Sequence, residues 1–200
     1  MKRFITLIIC LALIGASLLS FAGCDANKDN GEKPADESST ADTAAKSNTV
    51  ADDPRGIFEA VNAVAPYDGL VSEVIYKDTD TDSMVCWTYG VVDMDVCDHI
   101  TDYVITLPSN YNQTFALFIF DSDTTEEQIS LLKDTVMESY VRATASTLQM
   151  YFPEQYAIMK WAVENPDKIW RQYDNALAMI IYNEGEATEA WNAFESAALN

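Results

Sequence analysis

The chain has 200 residues, with 12 Lys and Arg against 32 Asp and Glu, for a formal net charge of -20. That charge excludes a partner presenting a phosphate backbone, so no nucleic acid is expected. Hydrophobic residues make up 48% of the chain and aromatics 11%, too apolar for wholesale disorder, and a single histidine excludes any centre that needs two.

Lys2 and Arg3 form a short positive stretch, and Phe4 to Phe21 follows without a charge, interrupted only by Thr6, Gly15, Ser17 and Ser20. The run ends in Phe21-Ala22-Gly23-Cys24, with the small residues that mark a secretory cleavage point. The segment resembles the bacterial lipobox, commonest as Leu-Ala-Gly-Cys, with Phe21 in place of Leu. The resemblance implies that residues 1–23 are a lipoprotein signal peptide and that Cys24 receives a diacylglyceryl group. Several acyl chains then hold the protein on the extracytoplasmic face of the cell membrane. An uncleaved transmembrane anchor is the competing reading, since the run is nearly long enough to span.

After the lipidated Cys24, residues up to 54 carry no aromatic residue and one large aliphatic, Val50, with eight acids against three lysines. Such a stretch buries too little surface to offset its ordering entropy, so a disordered acidic tether is expected. As a coil of about 30 residues it reaches on the order of 30 Å. Residues 55–200 hold all four Trp and all ten Tyr and form a single domain. With 24 acids against seven basic residues this domain is itself repelled by anionic head groups, which leaves membrane contact to the lipid.

Within the domain, Ile57 to Val64 reads as a short helix closed by Pro66, and Ser83 to Tyr89 as another ended by Gly90. Tyr103 to Leu107 is a strand, Pro108-Ser109-Asn110 a turn, and Phe115 to Phe120 a continuous apolar strand. Thr124 with Glu127 matches a capping box. From there Ile129, Leu132, Val136, Tyr140 and Ala143 recur at helical spacing, with the helix continuing to about Met150. Pro153 suits the first turn of the next helix, which runs to about Val163 and stops at Pro166. Ile169 to Tyr173, the turn Asp174-Asn175 and Leu177 to Tyr182 form a second hairpin. A closing helix carries Ala187, Trp191, Phe194 and Ala198 on one face. A shift of 62 residues places Phe118 on Ile180, Ile129 on Trp191 and Leu132 on Phe194, so two hairpin–helix units share one order. The expected fold is α+β, with about four mostly antiparallel strands and helices packed on one sheet face.

Phe152-Pro153-Glu154-Gln155-Tyr156 lies between a long amphipathic helix and a last hairpin plus helix. Together with Tyr89-Gly90 and the two apolar strands it resembles a family of Gram-positive bacterial lipoproteins catalogued as a domain of unknown function. The resemblance covers roughly residues 82–199 and implies a secreted, lipid-anchored domain without an assigned activity.

The chemistry-bearing residues favour bland roles. Asp78-Thr79-Asp80-Thr81-Asp82 opens like an EF-hand, but Ser83 and Tyr89 stand where Gly and Glu are required, so an exposed turn capping the next helix is expected. Asp93, Asp95, Asp98 and His99 lack a second histidine or a patterned cysteine pair, and no metal is assigned. Glu154 is tempting as a catalytic acid, but general acid–base work needs a second group and a cleft, and the preferred reading is a helix start, with Pro153 at the first position and Glu154 favoured by the dipole. Trp87, Trp161, Trp170 and Trp191 could line a groove, although their spacing makes most of them core. Cys10 leaves with the signal, so Cys86 and Cys97 are the thiols of the domain. In an exported protein they either form a disulfide or stay as two buried free thiols. The expected function is therefore a non-enzymatic binding or interaction module at the cell surface, without catalytic residues, cofactor or metal, which binds another protein, such as an envelope protein, or an envelope component. The alternatives are a carboxylate-dependent hydrolase of envelope polymers and capture of a small ligand or calcium.

Overall fold

The computed structural model describes residues 48–67, 73–80, 84–91, 94–107, 113–153, 156–182 and 184–199, all within one compact unit, 44–200. The signal, Cys24 and most of the expected tether lie outside the described residues, as does the Pro108-Ser109-Asn110 turn.

Helix α1 spans Pro54–Val64 and starts three residues earlier than the apolar pattern predicts, because the Asp53 carboxylate accepts from Gly56 N at 2.9 Å and Pro54 takes the first position. Next come β1 (Val74–Tyr76), a 3₁₀ turn (Lys77–Thr79), α2 (Met84–Tyr89) and a 3₁₀ segment (Asp95–His99). Strands β2 (Ile100–Thr106) and β3 (Thr114–Phe120) form the first hairpin pair. A long helix follows: α3 (Glu126–Val136), a π-helical segment (Met137–Arg142) and α4 (Ala143–Tyr151). Its cap is Thr125, whose hydroxyl accepts from Gln128 N at 3.2 Å while the Gln128 side chain accepts from Thr125 N at 2.8 Å. The expected Thr124 cap is thus displaced by one residue, because the Thr124 hydroxyl is engaged by Asp121.

The π segment also corrects the helix pattern. Burial runs through Ile129, Leu132, Val136 and Tyr140 as predicted, then falls on Ala145 and Leu148, while Ala143 is exposed. One π turn admits an extra residue, which moves the buried stripe on by about one position. Helices α5 (Tyr156–Glu164) and α6 (Pro166–Ile169) follow; the residues between Pro153 and Tyr156 lie outside those described, and Pro166 opens α6 as well as ending its predecessor. Strands β4 (Trp170–Tyr173) and β5 (Ala176–Ile181) form the second hairpin, and α7 spans Glu184–Ala198.

The sheet has five strands in the order β1-β2-β3-β5-β4, every pair antiparallel. The fold is α+β, with β1 as a strand beyond the four expected. The expectation of helices on one face is overturned. Phe115, Leu117 and Ile119 face a core shared with α1 and α7, through Ile57, Phe58, Val61, Trp191 and Phe194. Ala116, Phe118 and Phe120 face a second core, formed with α2 and α3 to α5 through Tyr89, Leu132, Tyr140, Leu148 and Met159. All seven residues of β3 and all six of β5 are buried, so these strands need cover on both sides. A strand covered on one side would alternate apolar with polar. The two hairpin–helix units therefore share an order but not a hand: the residues paired by the 62-residue shift, Phe118 with Ile180 and Ile129 with Trp191, lie in opposite cores.

Aromatic rings fasten both layers. Phe58 meets Phe115 edge-on at 5.2 Å, and Tyr173 stacks on Phe194 at 5.5 Å. On the other face Tyr89 meets Tyr140 at 4.8 Å and Phe118 at 6.0 Å. The segment ahead of α1 is fastened too. Val50 N donates to Asn175 Oδ1 at 2.8 Å, Asn175 Nδ2 returns to Val50 O at 3.0 Å, and Ala51 N donates to Ala198 O at 2.9 Å.

Candidate functional site

The described turns of helix α2 are bounded locally. Asp80 Oδ2 accepts from Val85 N at 3.3 Å near its start, and Gly90, at φ +70°, ends it. A Cβ at Gly90 would also stand 2.6 Å from Ser139 Cβ, so the turn tolerates no side chain. Beyond it the backbone doubles back: Val91 N donates to Cys86 O at 3.0 Å, Met94 N to Val91 O at 3.3 Å, and Cys97 N to Met94 O at 2.9 Å.

This return path carries Cys97 to Cys86. The two Sγ atoms are 3.6 Å apart, both thiols are free, and the Cys97 thiol donates onward to Val91 O at 3.3 Å. Burial, and then the hydrogen bond with Cys86, push the Cys97 thiol up to about 12, so it stays protonated and weakly nucleophilic at neutral pH. Both sulfur-bearing residues line a pocket of about 340 Å³ with Lys77, Asp80, Asp98 and Tyr103. The Tyr103 hydroxyl donates to Asp80 Oδ2; burial first, then that carboxylate, hold its pKa well above the usual phenol range. Lys77 Nζ donates to Ile100 O at 2.5 Å and Thr101 O at 2.9 Å, which directs its charge into the backbone at the start of β2.

The structure thus joins Cys86 and Cys97 with Asp80 and Asp98, which the sequence presents as separate features, and separates others it presents together. Asp78 pairs with Arg55 at 3.3 Å while Asp80 serves Val85 and Tyr103, so these acids of the alternating run do not converge; Asp82 lies outside the described residues. His99 turns from its acidic neighbours to Asp121, with Nδ1 3.0 and 3.1 Å from the two carboxylate oxygens. That hydrogen bond raises the His99 pKa above 6.5 and lowers that of Asp121 below 3.8. Asp121 also accepts from Asp123 N at 2.9 Å and Thr124 Oγ1 at 3.1 Å. Asp93 lies outside the described residues, and among those described no three metal-ligating side chains gather. Glu154 lies outside them as well.

The tryptophans divide. Trp170 is core, Trp87 is 70% exposed, and Trp161 and Trp191 line a second pocket of about 310 Å³ with Lys168 and Arg171. The Arg171 guanidinium lies 4.5 Å from the Trp191 ring centre and pairs with Glu195, which neutralises that wall.

No family model, curated protein or solved structure matches this chain. Its site residues are therefore read from geometry alone. Asp121 and Tyr103 escaped the sequence reading, although an Asp two and three residues ahead of backbone and hydroxyl donors is the signal of an Asx turn before a helix cap. Tyr103 carried no such mark: only the register of β2 brings it to Asp80.

Proposed function

We propose that this protein is a lipid-anchored extracytoplasmic lipoprotein whose α+β domain is a non-enzymatic interaction module at the cell surface, with an envelope protein as its partner. The observation that carries this reading is the order of the chain: an apolar segment ending in Phe21-Ala22-Gly23-Cys24, an acidic spacer, and one folded domain. Further support comes from the domain surface, where Trp87, Met150, Tyr151 and Phe152 are all more than half exposed, since exposed aromatics supply interface energy. Among the described residues no helix is long and apolar enough to cross a membrane. In this reading Cys24 makes the membrane contact.

The test is crosslinking in intact source cells, followed by pull-down and mass spectrometry, with Cys24→Ala as the unanchored control. A protein captured by the anchored form alone supports the reading. Equal capture by both forms, or membrane retention of the Cys24→Ala protein, overturns the anchored module.

A further inference from the structure

The geometry points to Cys86 and Cys97 as a switchable disulfide that, once closed, latches α2 to the 3₁₀ segment leading into β2. The thiols stand 3.6 Å apart, and the backbone bonds Val91 N to Cys86 O and Cys97 N to Met94 O already set the return path that a bridge requires. A bonded pair holds its sulfurs about 2.05 Å apart, so closure brings the two Sγ atoms nearer by about 1.5 Å than they stand as thiols. Reagents can reach it, because both residues are only half-buried and line the pocket with Asp80 and Tyr103. The inference concerns the folded domain alone and holds whether or not Cys24 is lipidated.

The chemistry is thiol–disulfide exchange. One cysteine, as its thiolate, attacks a disulfide of the oxidant, either an exchange protein or a small-molecule disulfide, forming a mixed disulfide and releasing one thiol. The second cysteine attacks the mixed disulfide, the intramolecular bond forms, and the other oxidant thiol leaves. Two protons and two electrons pass from the pair, and the oxidant's disulfide is reduced to two thiols. Burial and the hydrogen bond with Cys86 raise the Cys97 pKa, which slows a first attack by its thiol at neutral pH.

The full-length chain, folded, is incubated with oxidised glutathione or with dithiothreitol, freed of the reagent, unfolded in the presence of an alkylating agent and digested with chymotrypsin, which cuts between the two cysteines at Trp87 and Tyr89. The expected result is a Cys86–Cys97 cross-linked peptide pair, two hydrogens lighter than the reduced pair, in the oxidised sample only. The oxidised protein should melt about 5–10 °C higher, as closing a loop of roughly a dozen residues predicts for a domain of this size. Cys86→Ala and Cys97→Ala should each abolish that difference, and the wild-type comparison stands even where a variant fails to fold. Recovery of both cysteines alkylated after oxidation, or as separate glutathione adducts, would overturn the bridge. A bridge without a gap in melting temperature would overturn the latch.

Discussion

Asn175 ties the segment at residues 48–51 to the domain through two hydrogen bonds from one side chain. Its amide gives and takes one hydrogen bond with Val50, at 2.8 and 3.0 Å in a half-buried setting, and Val50 itself is only 2% exposed. Replacing it with Ala removes both bonds and leaves a buried N–H and C=O with poor access to water. At about 1 kcal/mol for each bond the cost is about 2 kcal/mol. With a urea slope of about 2 kcal/mol per molar, the unfolding midpoint falls by about 1 M. If the segment opens locally, the Val50 amide should exchange roughly 30-fold faster, while Phe118 in β3 should not change beyond the global loss. Asn48→Ala is the control, because its side-chain bond to Asp174, at 3.3 Å, is exposed and should be worth less than about 0.5 kcal/mol. A midpoint unmoved by Asn175→Ala, or lowered as much by Asn48→Ala, would refute the assignment of the clamp to this amide.

Gly90→Ala should destabilise the domain by about 2 kcal/mol or more, since the new Cβ meets Ser139 Cβ at 2.6 Å in a left-handed conformation; a urea melt checks this, and a neutral result contradicts the packing. The His99–Asp121 pair makes stability pH-dependent. The raised His99 pKa contributes stability that is complete below 6.5 and is lost as pH rises through the folded value, while the lowered Asp121 pKa contributes stability above 3.8 that is lost as pH falls through its folded value. The sole histidine makes its ring easy to follow by NMR: the midpoint should lie above 6.5 and move down towards it in Asp121→Asn, and a midpoint indifferent to that change would dismiss the pair. Calcium at millimolar concentration should raise the melting temperature no more than magnesium does, because Asp78 is engaged by Arg55 and Asp80 by Tyr103 and Val85; a calcium-specific rise of several degrees would restore the ion-capture reading.

Much of the fold was legible because burial leaves periodic marks. The apolar stretch at Phe115 to Phe120 could only be a buried strand, and Ala187, Trp191, Phe194 and Ala198 trace one face of α7. The same stretch held the clue that was missed, since a strand without alternation demands cover on both faces. What stayed hidden depends on contacts between distant residues. Nothing near His99 in the sequence points to Asp121, 22 positions away, and nothing in the spacing of Cys86 and Cys97 states that a turn at Gly90 folds one thiol onto the other. The π turn at Met137–Arg142 shifted the later helix face, because a helical template assumes one constant pitch.

The clamp at Asn175 also decides how the domain meets a mechanical load. Among the described residues, tension drawn along the proposed tether falls first on the bonds of Asn48 to Asp174, then on Asn175 and the Ala51–Ala198 bond, outside the ladder of the five strands. Those few bonds stand in series with the sheet and are far fewer than the contacts behind them, so they release first. Peeling residues 48–51 lengthens the tether by about 3.5 Å per residue, on the order of 14 Å, and withdraws only Val50 from the core beneath α1 and α7. The segment then acts as a mechanical fuse, giving the module extra reach under strain and reseating when the pull ends.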